Sequence, residues 1–202
     1  KNYQKFEPIK NNINISICII GGGLTGLSTA YYLSKETDVV IVEKDRICSG
    51  TSSKTTGKVT SQHGIFYNYL VETKGKEFAK KYLEANERAI ANIEKIIKEN
   101  QIECDYEKED SYVFTCQETM VDQIKSEQAC IEKISDGKSE FVKQIDLPIE
   151  TKGAIKFKNQ AQINPLKYAY GLADAVIKKN GKIFENSRVT DIKKKDNKYV
   201  VF

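Results

Sequence analysis

The sequence predicts an α/β fold: a parallel sheet flanked by helices, with a partial second domain of mixed strands and helices inserted into it. Three observations predict it. Residues 15–20 and 38–43 are short apolar runs rich in β-branched residues, which is how strands buried on both faces read. A glycine turn at 21–26 joins the first run to a helical stretch carrying Leu27, Ala30, Tyr31 and Leu33. Strand, turn, helix and strand are complete within about 30 residues, the length of one βαβ unit.

The remaining elements follow in order. Residues 49–60 turn to Ser, Thr and Gly and read as a loop. Residues 75–100 predict a long helix, with Phe78, Tyr82, Ala85, Ala89, Ile93 and Ile96 stepping every three or four positions. A strand is expected at 111–115, and an amphipathic helix over 119–135 on Val121, Ile124, Gln128, Ile131 and Ile134. Asn164-Pro165 suits a helix start, because Asn offers a capping oxygen and Pro tolerates the first helical position. That helix should stop at Asn180-Gly181, with Gly181 in the left-handed conformation. A strand at 182–185 and a hairpin of 189–194 with 198–202 around Asp196-Asn197 complete the chain. Neither an internal repeat nor a low-complexity linker is evident.

Composition narrows the function. The 202 residues are 40% hydrophobic and 30% charged, with a formal net charge of +4. The excess lysines are scattered among glutamates without a basic, aromatic-bearing stripe, so no nucleic-acid partner is expected. Five dispersed cysteines without a CxxC pair argue against a disulfide framework or a metal site. No apolar run reaches membrane-spanning length and no signal-peptide centre is visible, so a cytoplasmic protein is expected.

The chemistry lies in Gly21-x-Gly23-x-x-Gly26, placed between a buried strand and a helix as the Rossmann-type mechanism demands. Gly21 permits the turn, Gly23 lets a diphosphate approach the backbone, and Gly26 lets helix and strand pack closely. The N–H groups of Leu24 and Thr25, at the helix start, then face the phosphates. Glu43, with Lys44 beside it, follows the second strand seventeen residues after Gly26, where a carboxylate accepts hydrogen bonds from ribose. The same acid disfavours a cofactor with a 2′-phosphate but leaves FAD and NAD open.

The run GGGLTGLSTAYYLSK…VVIVEKDRICSGTSSKTTGKV resembles the opening of the FAD-dependent oxidoreductases of the D-amino-acid oxidase, sarcosine oxidase and glycine oxidase group. The resemblance implies non-covalent FAD, with Gly50, Thr51, Ser52, Thr55, Thr56 and Gly57 along the diphosphate and flavin. Some relatives link flavin to a histidine, but the matching position is Lys54. Residues 103–115 resemble the group's substrate-domain strands, and 153–157 followed by 163–168 its return to the FAD domain. Residues 187–192 resemble the adenine-side strand, with the Val189 backbone at the adenine ring. Within the group, residues 49–64 are most similar to bacterial members with a C-terminal Rieske domain.

The expected organisation is an FAD-binding segment over 1–75, with 1–14 as an extension, a partial substrate domain over 76–150, and a return over 151–202. The group continues beyond the hairpin, so the sequence is expected to be a fragment that need not be active by itself. The resemblance implies oxidation of an amine or amino-acid-like C–N bond by hydride transfer to flavin. Alternatives are a C–O substrate such as a hydroxy acid or glycerol phosphate, or a nucleotide-binding fragment without turnover. No catalytic residue is assigned. His63 is expected to be an ordinary loop residue, and Tyr106 and Tyr112 to pack in a core or sheet.

Overall fold

The computed structural model describes residues 4–135 and 137–202. The chain forms two compact units, the first made of residues up to Gly57, Ile97–Asp105 and Asn164–Phe202. The second contains Lys58–Ile96 and Tyr106–Ile163.

In the first unit β1 (Ile17–Ile20), β2 (Val39–Val42) and β7 (Lys182–Phe184) form a parallel sheet in the order β1-β2-β7. Ile17 pairs with Val39, and Val40 with Lys182. The middle strand is β2, and all four of its residues are buried, which accounts for its unbroken β-branched run. Helix α1 (Leu24–Leu33) buries Leu27, Ala30 and Tyr31, and α5 (Pro165–Lys178) buries Tyr168, Ala169, Leu172, Ala173 and Val176. The two helices pack on each other. The start of α5 is as expected: Asn164 Oδ1 accepts from Lys167 N at 3.1 Å, with Pro165 at the first position. Its end differs. The left-handed residue is Asn180, with φ 64°. Gly181 is needed for a different reason, because a Cβ there would collide with the Val176 side chain and approach its carbonyl oxygen to 2.9 Å. After β7 the chain forms the hairpin of β8 (Ile192–Lys195) and β9 (Lys198–Val201), with Asp196 at φ 54° in the turn.

In the second unit β6 (Gly153–Gln162) is central. It pairs antiparallel with β4 (Glu107–Thr115) on one side, and with β5 (Ser139–Val142) and β3 (Lys58–Val59) along the other. Helices α2 (Tyr67–Lys74), α3 (Lys76–Asn100) and α4 (Val121–Ile134) accompany the sheet, and α3 continues unbroken into the first unit. The core gathers Tyr67, Leu70, Leu83, Ile124, Ile131 and Phe157.

Two boundaries differ from the sequence reading. Residues 153–157, expected to lead back to the first domain, lie in β6, where Ile155 faces both Val113 and Phe141. The return comes at Asn164. Residues 58–75 belong to the second unit, because β3 is recruited by the far end of β6. No helix among the described residues is long and apolar enough to cross a membrane.

A half-buried polar network ties this unit together. Glu87 accepts from Ser61 Oγ at 2.5 Å, Lys138 Nζ at 2.7 Å and Gln160 Nε2 at 3.2 Å. Burial pushes the Glu87 carboxyl up, but these partners outweigh it and hold it below its ordinary 4.5. A carboxylate depressed in this way contributes stability at pH values above its unfolded value, lost as pH falls through the lower folded value. Melting temperature is therefore expected to drop as pH falls from 6 towards 3, and Lys138→Met should flatten that dependence. Thermal melts of the two proteins across this range check it, and identical pH profiles would refute it.

Candidate dinucleotide site

The first turn follows directly from the end of β1. Gly21 N donates to Val42 O at 2.9 Å, and Gly21 then takes φ +102°, which an L side chain rarely tolerates. Gly23 caps α1, and its carbonyl accepts from Leu27 N at 2.9 Å. Gly26 sits on the first turn of the helix against β1, where a Cβ would overlap the carbonyl oxygen of Gly21. The first-turn N–H groups of a helix have no intrahelical partner. No acidic side chain lies in this turn, so the positive end of α1 is left for an anion.

Two further segments close around the turn. Ser52, in the short 3-10 turn Thr51–Lys54, accepts from Leu24 N at 3.2 Å. Its Oγ is 3.2 Å from where a Cβ on Gly23 would sit. Glu43 follows β2, and its amide donates to Phe184 O at 2.8 Å. Its carboxylate accepts from Gly22 N at 2.7 Å and Asp45 N at 2.9 Å. A carboxylate held at the end of the middle strand, beside the glycine turn, has lone pairs to spare for hydroxyl donors.

Sequence reasoning passed over Gly22, Ile47 and Cys48. Cys48 N donates to Gly22 O at 3.0 Å, and a Cβ on Gly22 would come within 2.8 Å of Ile47 Cγ2. The only signal was that the middle one of three consecutive glycines fills a position the usual motif leaves free. Burial pushes the Cys48 thiol up to about 11, against a hydrogen bond with Ser52 that lowers it. It is therefore a packed hydrophobe and not a nucleophile at neutral pH.

The structure thus brings Gly21, Gly23, Leu24, Gly26, Glu43 and Ser52 together. Gly50 precedes the Ser52 turn and caps it, while Thr51 and Thr25 are exposed on their helical turns. Lys44 is exposed and 3.7 Å from Asp45. Thr55 and Thr56 are exposed, leading to buried Gly57 at φ +77°. Val189 is half-buried in the coil between β7 and β8. Among the described residues no hydrogen bond joins Lys44, Thr55, Thr56 or Val189 to the glycine turn. His63 lies in the second unit, exposed, 3.4 Å from Asn86 Oδ1. Tyr106 packs against Val59, Ile90 and Ala161, and Tyr112 lies on β4.

A parallel β-α-β unit with a glycine turn at the helix start and a carboxylate closing its second strand defines a dinucleotide-binding α/β protein. Residues 16–201 match the model of the DAO family, described as FAD dependent oxidoreductase, and the chain belongs to that family. It is 36% identical over 197 residues to the "Putative Rieske 2Fe-2S iron-sulfur protein YhfW" of Bacillus subtilis, covering 97% of this chain and 38% of that protein. It is 26% identical over 196 residues to the gamma-glutamylputrescine oxidoreductase of Escherichia coli, covering 94% and 46%. Glycine oxidase from Geobacillus kaustophilus shares the fold with a TM-score of 0.76 at 19% identity, over 93% of this chain and 50% of that one. The chain thus spans half or less of the length of each.

Family membership implies FAD, and the residues present fit it. Their fit rests on the side-chain-free cradle at Gly21, Gly23 and Gly26, the helix end without an acid, and the carboxylate of Glu43.

Proposed function

We propose that this chain supplies the FAD-binding part of an oxidoreductase acting on an amine or amino-acid-like C–N bond, with the cofactor held non-covalently. The observation that supports it most is the convergence of the α1 N-terminus, Ser52 and Glu43 on one glycine turn. The backbone at Gly23, Leu24 and Thr25 would hold the diphosphate, and Glu43, flanked by Lys44, the ribose hydroxyls. Gly50, Thr51, Ser52, Thr55, Thr56 and Gly57 would line the diphosphate and flavin, with the Val189 backbone towards the adenine. FAD, when bound, supplies the hydride acceptor, and the chain's own part is to orient it and exclude water. The Escherichia coli and Geobacillus relatives, a gamma-glutamylputrescine oxidoreductase and a glycine oxidase, support the amine class.

Full-length protein titrated with FAD is expected to bind it, and Glu43→Ala to weaken binding about tenfold, the worth of a charged hydrogen-bonding partner. Denaturation should release the flavin into the supernatant, and retention by the polypeptide would refute a non-covalent site. Anaerobic bleaching of the flavin by amines and not by hydroxy acids supports the C–N reading. Bleaching by hydroxy acids alone would replace it with C–O oxidation.

The name of the Bacillus relative supports a finer proposal, that the whole protein also carries a Rieske cluster. Such a cluster takes two Cys and two His, and this sequence has a single His, so at least one of its ligands would lie outside these 202 residues. Full-length protein without iron and acid-labile sulfide would refute it.

A further inference from the structure

Glu185 stands just past β7 and is 1% exposed, yet neither the glycine turn nor the family motif includes it. Its two carboxylate oxygens divide between two distant segments. Oε1 accepts from Ile47 N at 2.8 Å, and Oε2 accepts from Phe6 N at 3.1 Å. Arg46 Nε lies 3.8 Å from Oε2, a buried nitrogen with no hydrogen-bond acceptor of its own. Two residues on, Ser187 Oγ donates to the Glu185 carbonyl and accepts from Ile9 N, each at 2.9 Å. The N-terminal segment is thereby fastened to the end of β7 at both Phe6 and Ile9.

The consequence for the site runs through Ile47. Its side chain is the closest obstacle above Gly22, and the next residue, Cys48, donates to the Gly22 carbonyl. Glu43, at the other end of the same turn, holds Gly22 N. Gly22 is therefore clamped by the 43–48 turn. The first half of that turn is held to the end of β7 by backbone bonds of Asn186 N to Asp45 O and Ser187 N to Glu43 O, and its Ile47 end is held by the buried carboxylate of Glu185.

Resting on the cofactor reading above, we infer that Glu185 is a positioning residue for the diphosphate half of the dinucleotide. It acts through Ile47 on the glycine turn and anchors the N-terminal segment with its other oxygen. A carboxylate suits the task because both partners are N–H donors and a cation stands alongside. An amide of the same size must turn an NH2 towards one of them.

The test uses full-length Glu185→Gln and Glu185→Ala, with Glu127→Gln, which alters a buried carboxylate of the second unit, as the control for general destabilisation. FAD and ADP affinities are measured by calorimetry, and tryptic cleavage after Lys5 and Lys10 is followed by mass spectrometry. Both Glu185 variants are expected to bind FAD and ADP about tenfold more weakly, as loss of a charge-assisted hydrogen bond implies. They should also be cut sooner at Lys5 and Lys10, while Glu127→Gln matches the parent in both. If Glu185→Ala fails to fold, Glu185→Gln decides. Unchanged FAD and ADP affinity in Glu185→Gln overturns the inference, and so does an equal loss in Glu127→Gln. A parent protein that binds neither ligand overturns the cofactor reading. The cleavage arm then still judges the clamp, and unchanged cutting at Lys5 and Lys10 overturns that too.

Discussion

Gly26→Ala is expected to destabilise the protein by about 3 kcal/mol and to abolish FAD binding, the upper range for overpacking against backbone that cannot yield. The added Cβ would overlap the Gly21 carbonyl oxygen and lie 3.2 Å from the Gly21 carbonyl carbon. Gly21 has no room to retreat, because its amide is bonded to Val42 and its φ is already +102°. Relief requires α1 to lift away from β1, which draws the helix end and its N–H groups from the turn. Gly21→Ala makes the informative contrast. Nothing lies within 4 Å of its would-be Cβ, so its cost is backbone strain alone, about 1–2 kcal/mol. Urea melts with FAD titration of both variants check the pair, and a Gly26→Ala protein with parental midpoint and affinity would refute the account.

Glu127→Ala is expected to cost about 3 kcal/mol and to loosen the second unit, because it leaves three donors without their acceptor. Glu127 is fully buried on α4, and its carboxylate accepts from Phe66 N at 2.7 Å, Tyr67 N at 2.6 Å and Asn68 N at 2.8 Å. These are amides at the start of α2, where an anion also opposes the helix dipole. No side chain at the cap position does this work locally. The first residue released, Tyr67, is itself fully buried and stacks on Phe157 with centroids 6.4 Å apart. Loss of near-ultraviolet circular dichroism should therefore accompany the lower melting point. Glu127→Gln, which keeps one acceptor oxygen, should fall between. A near-ultraviolet spectrum unchanged in Glu127→Ala would show that α2 is fixed by its packing alone.

The same residues show where the sequence was legible. The β1–turn–α1–β2 unit could be read because its determinants are local: apolar β-branched runs, glycines at fixed spacing, an acid after the second strand. Only the burial of β1 was overestimated, since Ile17–Ile19 are half-buried and Ile20 is exposed while β2 is buried throughout. Asn164 could be read for the same reason, since its acceptor serves an amide three residues on. Helix α2 was not foreseen, because its capping group comes from Glu127, about sixty residues later, and only Tyr67 and Leu70 bury. Residues 153–157 were assigned to the wrong unit because an apolar β-rich run reads alike in either sheet. Only the pairing of β6 with β4 and β5 decides it. At the site, Gly22 and Glu185 were invisible for a related reason, as each is defined by contacts with a turn that the motif does not describe.

The middle strand of the first sheet has neighbours far apart in the sequence: Val40 pairs with Cys18 and with Lys182. A ribosome therefore releases β1, α1 and β2 long before β7 exists to cover the open side of β2. In between emerges a complete second unit, whose central β6 follows its partners β3, β4 and β5 and can pair as soon as it appears. Vectorial synthesis thus favours maturation of the inserted unit first. The nascent nucleotide half must wait, its apolar strands unshielded, and is the portion for which a chaperone would matter most.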